Sequence, residues 1–174
     1  MTTKLNTELL ADLRSDHAGE VGAVWIYKGI LATSKDSKLI DFAQRHLATE
    51  EGHLNKINSI FPASERSKLV PIWKIAGFLT GALPSLINPK AVYATIEAVE
   101  TFVDKHYQEQ IEKLQDKPDD IETLKILQKC QQDECEHRDE AALLFNGKSN
   151  PAFQFWAHLV GKGSSFAVKL AKII

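Results

Sequence analysis

The residues best placed to do chemistry are four glutamates and two histidines. Two Glu-x-x-His segments, Glu50-Glu51-Gly52-His53 and Glu134-Cys135-Glu136-His137, each follow a helix-like stretch with a solitary glutamate, Glu20 before the first and Glu100 before the second. Positions three apart on an α-helix share a face, so Glu50 can act with His53 and Glu134 with His137. Four carboxylates and two imidazoles balance much of the charge of two divalent ions while leaving coordination positions open. Hard oxygen and borderline nitrogen donors without thiolate suit iron or manganese better than a closed structural zinc site. In this reading each Glu-x-x-His pair serves one ion, and the lone glutamates Glu20 and Glu100 bridge the two. One Glu-x-x-His usually marks a solvated helix face, but two in this order are a far more specific pattern.

Neighbouring residues refine the set. Glu100 shares a stripe with Tyr93, Ile96, Val103 and Tyr107 and is preferred to Glu97, whose neighbours are more polar. His17, Asp16 and His106 are candidates for groups that orient the ligands from behind. Gly19 and Gly22 flank Glu20 in a helix interior, where each costs about 1 kcal/mol relative to Ala. They make sense if a ligand approaches that backbone closely.

The elements that must position these groups are helical. An apolar stripe (Leu9, Leu10, Leu13, Val21, Val24, Ile30, Leu31) runs from about Thr7 to Thr33, with Asn6 or Thr7 as N-cap. Asp36 caps a second helix that ends near Ile60, before Pro62. Asn88-Pro89 opens a third, Pro118-Asp119-Asp120 a fourth closed by Asn146-Gly147, and Asn150-Pro151 a fifth. No stretch alternates with the period of a strand. The spacing of 30 residues from Glu20 to Glu50, against 34 from Glu100 to Glu134, makes each half a helical hairpin with one lone glutamate and one Glu-x-x-His. The expected fold is all-α: a ferritin-like four-helix bundle spanning 1–174 as a single domain. It has a long apolar crossover at about 66–96 between its second and third helices, and an additional C-terminal helix at about 150–174.

Composition fits one soluble-type domain, with 44% apolar and 25% charged residues. A net charge of −2 gives no indication of nucleic-acid binding. The charge is unevenly spread, however. Arg66, Lys68, Lys74 and Lys90 lie in a stretch without acids, as do Lys148, Lys162, Lys169 and Lys172 near the C-terminus. The remaining 13 cations face 23 acids, so an acidic body of about −10 carries two basic, apolar segments. Cys130 and Cys135 are too divergent on one helix to form a bridge, and read as structural thiols of a reducing compartment. The N-terminal residues lack the apolar run of a signal peptide and the Arg-rich character of a transit peptide.

Asp16-His17-Ala18-Gly19-Glu20, Glu50-x-x-His53-Leu54, Ala98-Val99-Glu100 with His106-Tyr107, Asp133-Glu134-x-Glu136-His137 and Val160-Gly161-Lys162-Gly163-Ser164 together resemble the demethoxyubiquinone hydroxylase family. The resemblance runs from about Leu13 to the C-terminus. It implies a di-iron monooxygenase that hydroxylates the ring of a polyprenylated methoxybenzoquinone in ubiquinone biosynthesis. The oxidant would be O2, with electrons ultimately from NADH. By the same match, Glu20, Glu50, His53, Glu100, Glu134 and His137 would be the iron ligands through which catalysis runs. Some relatives have a second histidine where this chain has Lys105 and Arg138, a departure outside the ligand set. No Gly-rich dinucleotide fingerprint is present, so a conventional NADH domain is not expected.

A polyprenyl quinone is dissolved in the bilayer, and the crossover offers a route to it. Its longest uncharged run, Ile75 to Pro89, is 15 residues and short of the roughly 20 needed to span. Trp73 and Lys74 at one end fit a helix lying in the membrane interface, with Phe153, Phe155 and Trp156 near the C-terminus as a second contact. The expected location is peripheral, on the cytoplasmic face of a bacterial inner membrane or on the mitochondrial inner membrane. The exposed apolar surface also suits an accessory lipid-binding protein or a second copy of the chain. The alternative activity is a ferritin-like iron oxidase or peroxidase without an organic substrate. It would use the same ligands but has no need of the apolar crossover.

Overall fold

The computed structural model describes residues 7–115, 117, 120–146 and 151–174. It shows α1 (Thr7–Thr33), α2 (Ser37–Ile60), α3 (Val70–Ile87), α4 (Pro89–Leu114), α5 (Ile121–Phe145) and α6 (Pro151–Ala171), with a 3-10 turn at Ala63–Glu65. The caps explain the boundaries. Asp36 accepts a hydrogen bond from the Leu39 N–H at 2.8 Å, and Asn88 accepts one from Ala91 at 3.0 Å, with Pro89 following as the first helical residue. Asn146 ends α5 in the left-handed conformation that Asn tolerates, at φ 35°. Of the other expected boundary residues, Asn6, Pro118, Asp119, Gly147 and Asn150 lie outside the described residues.

The order of apolar residues along each helix sets the topology. Leu13 of α1, Ile57 of α2, Tyr107 and Ile111 of α4, and Leu127 of α5 form one buried layer. Ile26 and Ile30 of α1, Phe42 of α2, Ile96 of α4 and Ala141 of α5 form another. α1 and α5 therefore run from the first layer to the second, while α2 and α4 run back. Each half is an antiparallel hairpin, and α2 and α4 point the same way. A tight turn cannot join two parallel neighbours, so the chain must return along the bundle. α3 makes the return, since its 18 residues at 1.5 Å rise cover about 27 Å. The fold is the expected ferritin-like bundle with an extra C-terminal helix, but the crossover is itself a helix. Its helix ends at Ile87, and α4 begins at Pro89, where Asn88-Pro89 marks a helix start in the sequence.

α3 lies against α1 backbone to backbone. A Cβ on Gly77 would sit 2.3 Å from the Gly22 carbonyl oxygen, and one on Gly81 only 1.9 Å from that of Ile26. From the other side, a Cβ on Gly29 would sit 2.2 Å from the Phe78 carbonyl oxygen. Only glycine permits this approach. With α2, α3 and α6 all packed on it, α1 buries polar as well as apolar residues, among them Asp12, Ser15, Asp16 and His17.

By length and composition α3 passes for a bilayer-crossing segment, yet its glycine face is fixed along α1 while Ile75, Leu79 and Leu86 point outward. Trp73, expected at a membrane interface, is instead buried and donates from its indole nitrogen to Ser67 Oγ at 3.3 Å. Trp is large and amphipathic, and Ser67 beneath α3 gives its N–H a partner inside the fold.

Polar contacts tie α6 to the bundle near both ends. The Trp156 indole N–H donates to Thr95 Oγ1 at 2.7 Å, and Lys172 Nζ donates to Asp12 at 2.6 Å. Arg14 donates to the Lys172 carbonyl at 3.0 Å.

Candidate metal centre

Between the two apolar layers, each of the four bundle helices turns polar groups inward. α1 supplies Glu20, α2 Glu50 and His53, α4 Glu100, and α5 Glu134 and His137, all nearly or fully buried. The ligand atoms fall into two adjoining groups, Glu20–Glu50–His53–Glu134 and Glu50–Glu100–Glu134–His137, each with its atoms within 4.8 Å of one another. All six sequence candidates thus meet at one place, and Glu97 does not take part.

The sharing pattern differs from the one the spacing suggested. Glu134 points Oε1 at His53 Nδ1 and Oε2 at His137 Nδ1, both at 3.1 Å. Glu50 does the same, with Oε1 3.1 Å from His137 Nδ1 and Oε2 3.7 Å from His53 Nδ1. The Glu-x-x-His glutamates therefore lie between the two positions, and the lone glutamates sit at the ends, Glu20 beside His53 and Glu100 beside His137. The reason is geometric. Residues three apart on a helix are offset by about 60° around its axis, enough to aim Glu50 between the positions and His53 at one of them. Each half of the chain supplies the end ligands of one position and one shared carboxylate.

Electrostatics show how strongly these groups interact. Burial pushes the Glu20 and Glu100 carboxyls well above the usual carboxylate range, and the neighbouring glutamates add to it for both. Burial also opposes ionisation of Glu50, but the adjacent His137 and His53 outweigh it and hold the carboxyl down at about 2. His137 is raised to about 9 because Glu134 and Glu50 overcome the burial that would lower it. His53 is raised further still, against burial, by Glu134, Glu50 and Glu20. Without other cations, this balance draws protons toward the histidines and the end glutamates. Two divalent ions would replace those protons, matching four carboxylates with neutral imidazoles. Glu20 Oε2 and both Glu50 oxygens are buried without a hydrogen-bond partner, as metal donors would be. The donor set and the orphaned oxygens fit a two-metal centre.

Supporting contacts come largely from residues that spacing had not singled out. His53 Nε2 lies 3.0 Å from Asp133 Oδ2, so Asp133 takes that N–H and leaves Nδ1 as the inward donor. Lys129 holds Asp133 from the next turn. The Tyr107 hydroxyl donates to Glu20 Oε1. His46 packs edge-to-face on His137, centroids 4.0 Å apart, and is fixed by Glu140 at 2.9 Å. Asp133 and Tyr107 each adjoin a motif residue, but nothing in the spacing gave them a partner.

The residues expected behind the ligands do something else. Asp16 and His106 bind each other at 3.1 Å, with Gln110 and Ser15 completing the network. His17 packs against Phe61, and burial, with Arg66 adding to it, lowers its pKa to about 4. None of these three makes a hydrogen bond to the six. Arg138 pairs with Asp104 of α4 at 2.6 Å.

A cavity of about 420 Å³ opens on the centre. Glu20, Glu100 and Glu134 form its floor, and apolar residues of α3 and α6, including Gly77, Trp156 and Phe166, its walls. Gly19 and Gly22 both line it, and a Cβ on either would meet nothing within 4 Å. Gly22 also receives Gly77 at the α1–α3 contact, which is a structural reason for it beyond room for a ligand.

A family model described as "Ubiquinone biosynthesis protein COQ7" matches residues 8–171. A Dictyostelium discoideum protein, "NADPH-dependent 3-demethoxyubiquinone 3-hydroxylase, mitochondrial", is 34% identical over 166 residues, covering 91% of this chain and 74% of its own length. The "3-demethoxyubiquinol 3-hydroxylase" of Rhodospirillum rubrum is 34% identical over 160 residues, 90% of this chain and 74% of its own. The rat protein, named like that of Dictyostelium, is 31% identical over 164 residues, 92% of this chain and 75% of its own. The match runs through all four ligand-bearing helices and α6, and the chain belongs to the ubiquinone biosynthesis protein COQ7 family.

Proposed function

We propose that this chain hydroxylates the ring of a polyprenylated demethoxyubiquinone or its quinol, using two iron ions held by Glu20, Glu50, His53, Glu100, Glu134 and His137. The observation that carries the reading is the apolar cavity whose floor is made of the candidate ligands. An iron oxidase has no use for an organic-sized cavity beside its metals. The balanced reaction takes a ring C–H, O2, a reduced nicotinamide nucleotide and a proton to a ring C–OH, water and the oxidised nucleotide. The Dictyostelium and rat names specify NADPH, where the resemblance alone implied NADH, so the donor class is proposed and not the individual nucleotide.

Bound iron supplies the activation of O2. Glu50 and Glu134, each with one oxygen toward His53 and the other toward His137, would be shared between the two ions. Asp133 fixes the His53 ring with Nδ1 inward, and Tyr107 fixes the Glu20 carboxylate. The walls from α3 and α6 exclude water, and the missing side chains at Gly19 and Gly22 let a flat ring approach the carboxylate floor. Iron-loaded protein given a short-chain demethoxyubiquinol, a reductant and ¹⁸O2 is expected to yield a ring-hydroxylated product carrying one labelled oxygen. Consumption of O2 by iron alone, with the quinol unchanged, would favour the iron-oxidase reading instead.

We further propose that the outer faces of α3 and α6 rest on a membrane. Ile75 is 63% exposed, Leu86 67% and Phe166 68%, on the two helices that wall the cavity. An apolar substrate can then enter without crossing water. The location this implies is the surface of an inner membrane, bacterial or mitochondrial. Ile75→Glu combined with Leu79→Glu is expected to weaken sedimentation with anionic vesicles by on the order of 100-fold, about 1.5 kcal/mol for each apolar side chain withdrawn. Both sites are exposed, so the fold is unaffected. Trp73 and Phe78 are unsuitable probes because Trp73 is buried and Phe78 packs edge-on against Trp25. Unchanged pelleting of the double variant would rule out this membrane face.

A further inference from the structure

One buried thiol beside the centre is left without a task by the two-metal arrangement. Cys130 lies one helical turn before Glu134 and is fully buried, where the apolar layer of Ile57 and Leu127 gives way to the carboxylates. Its Sγ, a carboxylate oxygen of Glu20 and a ring nitrogen of His53 all lie within 4.8 Å of one another. Glu20 is 3% exposed, and its Oε2 has no hydrogen-bond partner. A divalent ion with bonds of about 2.0–2.3 Å spans donors up to ~4.5 Å apart, so small side-chain rotations suffice to gather all three. The resulting oxygen, nitrogen and sulfur set is softer than the carboxylate-rich set on the other side of the same residues. Thiolate shifts preference toward zinc-type ions, and cobalt reports such sites spectroscopically.

We propose that Glu20, His53 and Cys130 form an alternative site for a thiophilic divalent cation, Zn²⁺ or Co²⁺, which competes with the ion of the Glu20–His53 position and blocks the centre. The proposal rests on the two-metal reading, because it borrows two of those ligands. Coordination breaks the S–H bond, the sulfur lone pair forms the metal–sulfur bond, and the proton leaves to solvent. No oxidant or reductant is required. The predicted consequence is a centre unusually sensitive to zinc.

The test is Co²⁺ titration of the full chain, followed by absorption. Wild type and Cys135→Ser are expected to show both ligand-field bands and an intense near-ultraviolet sulfur-to-cobalt charge-transfer band. Cys130→Ser and Cys130→Ala are expected to lose the charge-transfer band and keep the ligand-field bands, which also certifies their fold. Half-inhibition of the iron-loaded enzyme by Zn²⁺ should require on the order of 10–100-fold more zinc in Cys130→Ser. Ligand-field bands without the sulfur band in wild type, or a sulfur band that survives in Cys130→Ser, would overturn the proposal and leave the two-metal reading standing. A wild type that takes up no cobalt would sink the two-metal reading together with the proposal.

Discussion

Glu134→Ala is expected to empty both metal positions, whereas Glu100→Ala empties one. After anaerobic loading with Fe²⁺ and desalting, wild type should retain about two ions per chain, Glu100→Ala about one, and Glu134→Ala and Glu50→Ala close to none. The difference follows from where the carboxylate oxygens point. Each oxygen of Glu134 is 3.1 Å from a different histidine, so its loss strips a donor from both groups. Glu100 belongs to only one group, the one with His137. Hydroxylase activity should disappear in all three, which is why the metal count and not turnover is the discriminating measurement. If Glu20→Ala and Glu100→Ala each emptied both positions while Glu50→Ala kept one, the lone glutamates would be the bridges after all.

The second large effect concerns the contact that holds α3. Gly81→Val is expected to cost about 3 kcal/mol or more, because even its Cβ would lie 1.9 Å from the Ile26 carbonyl oxygen. Backbone cannot yield as a flexible side chain does, so α3 must move off α1. For a chain of this size the loss corresponds to a fall in Tm of about 6–12 °C. Gly161→Ala in α6 is the matched control. Nothing lies within 4 Å of its added Cβ, and helix propensity there favours Ala by up to about 1 kcal/mol. A wild-type melting temperature for Gly81→Val would mean that α3 is not seated on α1 in solution. The substitution should also open one wall of the cavity, since Gly77 and Trp73 of the same helix line it.

These expectations mark how much could be read before folding was considered. Helix boundaries were legible because caps and prolines act within a turn of where they stand: Asp36, Asn88 and Asn146 do in space what their types suggest. The six site residues were legible because a 3.6-residue period fixes which residues share a face. That period says nothing about which face of another helix will be opposite. Hence Glu50 and His53 read as partners on one ion, while in space Glu50 sits between the two positions and His53 serves one with Glu20. For the same reason the period gives Tyr107, Asp133 and His46 no partner, and it cannot tell that Asp16 and His106 bind each other and not the ligands.

Cys130 shows the limit most clearly. Standing four residues before Glu134, it shares that residue's face, yet it read as an inert thiol because no metal-type spacing surrounds it. Only the assembly of the bundle brings Glu20 of α1 and His53 of α2 to its sulfur on α5. Trp73 is the reverse case: its type fits a membrane interface, but tertiary packing buries it over Ser67. The sequence by itself determined the helices, their caps and the inventory of donors, all of which depend on local geometry. Tertiary structure decided which carboxylates are shared, how α3 docks through its glycines, and where the cavity meets the donors. Those depend on contacts between distant segments, whose orientation no one-dimensional period encodes.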